Sequence, residues 1–86
     1  MAVNYEVRDN IPWGVVILED HAFDNSIIGI TFDDRLIYCY ELMMQELMND
    51  WGWDELDAMD WLDYNTLRAI PYMGDKAPIV ISEVIK

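Results

Sequence analysis

At 86 residues the chain has room for one hydrophobic core, and at this size only about 60 to 65% of the unfolded surface is buried on folding. An apolar fraction of 53% with 13% aromatic residues excludes a disordered acidic tail, which could not offset the entropy of ordering. Seventeen Asp and Glu against five Lys and Arg give a net charge of −12, which repels a phosphate backbone or an anionic membrane and argues against either as a direct partner.

The cations Arg8, Arg35, Arg68, Lys76 and Lys86 are too dispersed to form a cationic stripe. The N-terminus has neither a cationic start nor a long apolar run, so no secretory signal or membrane span is expected. Cys39 is the single cysteine, which leaves no intramolecular disulfide and no CxxC pair for zinc or redox chemistry. A cytoplasmic single domain spanning residues 1–86 is the expectation.

Residues 1–14 read as an irregular arm, because Pro12 removes a backbone donor and Gly14 opens positive φ. Val15–Leu18 is a β-branched run of strand length, ended by the polar turn Glu19, Asp20, His21. Ser26–Phe32 and Leu36–Tyr40 read as the strands of a hairpin across Asp33, Asp34 and Arg35, with Gly29 marking a bulge or a close contact.

From Tyr40 the period changes. Tyr40, Met43, Met44, Leu47, Met48 and Trp51 share one side of a helix, opposite Glu41, Gln45 and Asn49, with Leu42 misplaced near the centre of the polar side. Gly52 stops this helix, and Asp54 is placed to cap a second one whose first turn carries Glu55 and Asp57. Leu56, Met59 and Leu62 mark the buried face expected of that second helix. An ideal continuation would bury Asp63, so a break is expected near residues 63–66, with Asp63 or Thr66 capping a short third helix that ends at Pro71.

After turn residues 73–78, Ile79–Ile81 with Val84 and Ile85 form a last strand expected to lie back on the hairpin. The order β, β, β, α, α, β implies an α+β domain. Two or three helices would pack on one face of a small, mostly antiparallel sheet of three or four strands.

Conventional chemistry is poorly supplied. With one His and one Cys few conventional combinations are on offer, and a Cys39–His21 pair is disfavoured because a free cysteine is more often a small buried apolar residue. Asp20 with Asp24, or Asp33 with Asp34, could touch a cation, yet no EF-hand pattern is present and turn or cap roles are favoured. No GxGxxG, P-loop or GxSxG motif occurs. No catalytic, cofactor-binding or metal residue is therefore assigned.

The most informative stretch runs from Leu36 to Leu67. It holds eight acids (Glu41, Glu46, Asp50, Asp54, Glu55, Asp57, Asp60 and Asp63) and no Lys or Arg. A charge run ordinarily means a solvated face. The sharper reading is a surface matched to a basic groove on another protein, including one that normally holds nucleic acid. On the second helix Asp54, Asp57, Asp60, Trp61 and Tyr64 are expected opposite Leu56, Met59 and Leu62, which would set two aromatics among acids as interface anchors.

The tail Asp63-Tyr64-Asn65-Thr66-Leu67-Arg68-Ala69-Ile70-Pro71-Tyr72-Met73-Gly74, followed by Ala77-Pro78-Ile79-Val80-Ile81, resembles a family of short acidic hypothetical proteins from phages and integrated mobile elements. The likeness extends upstream through residues 24–29 and 36–38 and covers most of the chain. It implies a mobile-element setting and a shared fold, and it carries over no catalytic residue. This chain departs from the family at Phe32-Asp33-Asp34-Arg35, where a glycine-containing turn is usual. Much of the tail motif also reads as folding instructions, with Arg68 expected to pair with a carboxylate, or alternatively to grip an anionic ligand.

The expectation is a non-enzymatic protein that binds a basic protein partner through its acidic helix face. Self-association through Trp61, Tyr64, Leu42 or an open strand edge is the alternative. A small enzyme built on a carboxylate pair in a cleft is the third reading.

Overall fold

The computed structural model describes residues 11–12, 14–18 and 23–82. Most of the expected N-terminal arm, the turn at residues 19–21 and the Val84–Ile85 end of the last strand lie outside the described residues.

The fold is α+β, with a three-stranded sheet in the order β1-β2-β3 and two α-helices. A 3-10 turn at Asp24–Ser26 leads into β1 (Ile27–Ile30), which pairs antiparallel with β2 (Leu36–Cys39). The register slips between Ile27, opposite Tyr38, and Gly29, opposite Ile37. The bulge expected at Gly29 is therefore present, although β1 is shorter than the Ser26–Phe32 run suggested.

The hairpin tip explains how the chain dispenses with glycine there. Asp34 N–H donates to the Thr31 carbonyl (3.1 Å), Thr31 N–H donates to the Arg35 carbonyl (2.8 Å), and Arg35 N–H donates to Thr31 Oγ1 (3.0 Å). This three-residue loop needs a left-handed residue at its end, and Asp34 takes that role at φ 64°. Aspartate is among the few L-residues that tolerate it. Asp33 has a local role too, its carboxylate accepting from the Thr31 hydroxyl, which holds its pKa below the usual value.

The Val15–Leu18 run is not a strand. Leu18 is buried, and its N–H donates to the phenolic oxygen of Tyr38 at 3.1 Å. The run packs on the core through side chains and is tethered by a side-chain oxygen, without a ladder. Its β-branched composition reports fit to a half-buried surface, which does not require strand pairing.

β2 is the central strand and runs without a loop into α1 (Tyr40–Trp51). The chain then passes through α2 (Glu55–Trp61), a π-helical segment (Leu62–Leu67) and a 3-10 turn (Ile70–Tyr72) before returning as β3 (Ile79–Ile81). β3 pairs with β2 in parallel, so the sheet is mixed where a mostly antiparallel one was expected. The return crosses over through helices, and such a crossover brings a strand back in the same direction. Arg35 Nε donates to the Ala77 carbonyl (2.7 Å) and Lys76 Nζ donates to the Asp33 carbonyl, so two of the five cations fasten the turn before β3 to the hairpin. At the other end of β3, the Ser82 hydroxyl donates to Glu41 Oε2 at 2.8 Å.

The core gathers Leu18, Phe23, Leu36, Tyr38, Met43, Met44, Leu47, Ala58 and Leu62. Each fully buried Leu, Met or Phe in it contributes about 1.5 to 3 kcal/mol of transfer free energy. The α1 contribution follows the expected row through Met48, with Met43, Met44 and Leu47 buried and Tyr40 and Met48 at its flanks, whereas Trp51 at its end is exposed. Gly52 ends α1 at φ 70°, a conformation in which it donates its N–H to the Met48 carbonyl. Among the described residues no helix is long and apolar enough to cross a membrane.

No break occurs near residue 63. The helix widens instead into the π segment, and Asn65 Nδ2 donates to the Trp61 carbonyl at 3.1 Å. That amide supplies a side-chain donor to a backbone acceptor where the α-helical ladder gives way, which lets the helix loosen without terminating. Asp63 stays exposed and caps nothing, Thr66 is buried, and Pro71 lies inside a 3-10 turn rather than after a third α-helix.

Candidate functional site

The acidic face is built at the start of α2. Asp54 adopts an extended backbone (φ −82°, ψ 176°), and its Oδ1 accepts from Asp57 N–H at 2.9 Å. This is the N-cap read from the sequence. Glu55 and Asp57 fall in the first turn, where carboxylates complement the unsatisfied N–H groups.

Asp54, Asp57, Asp60 and Tyr64 are exposed, whereas Trp61 is not one of this set. Trp61 is half-buried and packs its ring against Trp51 (5.4 Å between centroids), Trp53 (6.3 Å) and Phe23 (6.4 Å). Leu56, expected inside, is 70% exposed. The two residues exchange sides because the inward face of α2 is centred on Ala58 and Leu62, with Met59 and Trp61 flanking it. A Trp buries more apolar surface than a Leu and finds three aromatic neighbours here, so that orientation wins.

The outward face is consequently richer in apolar surface than the sequence indicated. At about 100° per residue, Leu56, Asp57 and Asp60 fall within one sector of roughly a quarter turn, and Tyr64 follows Asp60 about one turn later in the π segment. Leu56 at 70% and Tyr64 at 71% exposure stand among carboxylates there. At the C-terminal end an open groove of about 560 Å³ is lined by Asp60, Asp63, Tyr64 and Arg68.

Among the described residues, the contact that Arg68 makes is with a ring rather than with the carboxylate expected of it. Its guanidinium lies over the Tyr64 ring, 4.9 Å from the centroid, and among the described residues no ion pair joins it to Asp60 or Asp63. Such a stack supplies a cation–π attraction of about 0.5 to 1 kcal/mol at an exposed site. The spacing from 64 to 68 was visible in the sequence, but the expected break between them concealed the shared helix face.

A second cleft, of about 280 Å³, lies between the 3-10 turn and α1 and is lined by Asn25, Leu42, Gln45, Glu46, Asn49 and Asp50. Leu42, the residue that broke the helical pattern, is half-buried in this wall. Burial pushes the Glu46 carboxyl up to about 7, and the nearby charges of Asp50 and Asp24 add to the shift. The Ser26 hydroxyl and the Asn25 backbone moderate it. Burial outweighs both and sets the direction. Asp24 is fully buried behind the cleft.

A third cleft, of about 310 Å³, lies between α1 and α2, with Met44, Met48 and Met59 in its lining beside Glu41 and Glu55. Burial, reinforced by Asp63, Glu41 and Glu55, raises the Tyr40 phenol above its ordinary value. Cys39 is buried, with its thiol 3.7 Å from Glu41 Oε1. His21 lies outside the described residues. Among the described residues no group of three or more His, Cys, Asp and Glu side chains converges to hold a metal ion.

Comparison with known proteins found no matching protein-family model, no similar curated protein and no similar solved structure.

Proposed function

We propose that the chain is a non-enzymatic binding protein that engages a basic protein surface through the outward face of α2, in the mobile-element setting its tail resembles. The observation that carries this reading is the exposure of Leu56 and Tyr64 among Asp57, Asp60 and Asp63 on one side of one helix. Apolar anchors ringed by charge are how interfaces combine affinity with orientation. A net charge of −12 attracts a cationic partner and disfavours a nucleic acid. A partner whose basic groove normally holds nucleic acid fits the same chemistry.

The test compares two variants of equal net charge. Asp54→Asn/Asp57→Asn/Asp60→Asn strips the face, and asparagine retains the N-cap at position 54. Asp33→Asn/Asp34→Asn/Asp75→Asn removes as much charge from residues outside α2. In titrations with an oligo-arginine peptide at low salt, the first variant is expected to lose about tenfold in affinity beyond the second, and the difference is expected to shrink as salt rises. Equal losses in the two variants would reject the α2 face.

Self-association is the second reading, favoured by Ile28, Ile30 and Phe32. These exposed apolar residues lie in the uncharged Ser26–Phe32 stretch, the part of an acidic molecule where two copies repel least. Light scattering distinguishes it through a salt-insensitive dimer.

A further inference from the structure

The groove at the C-terminal end of α2 already holds a cation, and that cation comes from the chain itself. Arg68 lies over the ring of Tyr64, although Asp60 and Asp63 line the same groove and carboxylates are the commoner partners of arginine. Tyr64 is 71% exposed even with Arg68 in place. Arg68 is itself exposed and caps the C-terminal end of the π segment, in the turn that leads to Ile70. It is also the sole cation between Leu36 and Asp75. Among the described residues a ring contact holds this long, solvated side chain, and an exposed contact of that kind is given up at little cost.

We infer that the groove of Asp60, Asp63 and Tyr64 is a receptor for an arginine side chain of the partner, and that Arg68 is the built-in occupant which the incoming guanidinium displaces. The ring takes the planar face of a guanidinium, and the two carboxylates take its edge N–H donors. Lysine, a compact and strongly hydrated point charge, exploits the carboxylates but uses the ring less well. This inference rests on the proposed binding role of the α2 face and adds to it the chemistry of the anchoring residue.

A double-mutant cycle with labelled oligo-arginine and oligo-lysine peptides tests it. Arg68→Gln is expected to tighten oligo-arginine binding about two- to fivefold, the range implied by loss of an exposed cation–π competitor. Part of any tightening reflects the removed charge, so the decisive quantity is the coupling with Tyr64. In the Tyr64→Ala background the ring-dependent part of the gain is expected to disappear, whereas Tyr64→Phe is expected to retain it. Oligo-lysine should gain less from Arg68→Gln than oligo-arginine does.

An equal gain with and without the Tyr64 ring would overturn the inference, as would equal gains for the two peptides. If the Asp54, Asp57 and Asp60 variant loses affinity while the cycle shows no coupling, the face is retained and the arginine receptor is rejected. If no variant on α2 alters binding, both fail together.

Discussion

Trp61→Ala is expected to lower the folding stability by about 3 kcal/mol, with a fall in Tm of roughly 15 °C for a domain of this size, while Leu56→Ala is expected to stay within about 0.5 kcal/mol. The contrast follows from the orientation of α2. Trp61 makes ring contacts with Phe23, Trp51 and Trp53, so its removal leaves a void bordered by three aromatic side chains. Leu56 is 70% exposed and has little burial to lose. Chemical denaturation of the two variants measures both values in one experiment. A larger loss for Leu56→Ala than for Trp61→Ala would mean that α2 presents its opposite face to the core. The binding surface assigned to Leu56 and Tyr64 would then be buried.

The second large effect concerns pH. Glu46 titrates near 7 in the folded chain because of burial, against an ordinary value of 4.5. The group is raised on folding, so the folded state holds its proton more tightly than the unfolded state. Below about 4.5 the residue is protonated in both states and makes no difference. As the pH rises from there through 7 the folded state becomes progressively less favoured, and above 7 the full penalty is present. The residue is only partly buried, so solvent screening reduces that penalty to about 1 to 2 kcal/mol. Glu46→Gln keeps the shape without the charge. It is expected to be more stable than the natural chain by that amount at pH 8 and equal to it at pH 4.5. Parallel stability curves for the two proteins across this interval would show that Glu46 is solvated in the folded state.

The features legible in the sequence are those decided within a few residues. Gly52 and Asp54 announce the end of one helix and the start of the next through their own backbone and side-chain chemistry, and both act as read. The hairpin and its Gly29 irregularity follow from β-rich runs around a polar turn. Even the glycine-free tip has a local solution, since Asp34 tolerates the left-handed conformation.

What escaped the sequence depends on partners distant in the chain. The parallel pairing of β3 is set by the route of the helical crossover, and no feature of Ile79–Ile81 encodes direction. Val15–Leu18 has strand composition, but its tether is the hydroxyl of Tyr38. Leu56 and Trp61 change places because Phe23, Trp51 and Trp53 assemble an aromatic site that helical periodicity cannot register. The π segment owes its continuity to the Asn65 amide on the Trp61 carbonyl, a contact that an ideal 3.6-residue period does not anticipate. At the candidate site, Asp54, Asp57, Asp60 and Tyr64 were identifiable as an exposed acidic face, whereas the role of Leu56 and the Tyr64–Arg68 stack were not. The cleft around Glu46 had one local clue, Leu42 on the polar side of α1, and its other wall is brought in by Asn25.

The most direct measurement is a backbone amide chemical-shift map of the isotope-labelled chain during titration with an oligo-arginine peptide. Shifts concentrated between residues 54 and 68 and suppressed by salt are the predicted result. Shifts concentrated at Asn25 and residues 42–50, or along the hairpin, would contradict the assignment of binding to the α2 face.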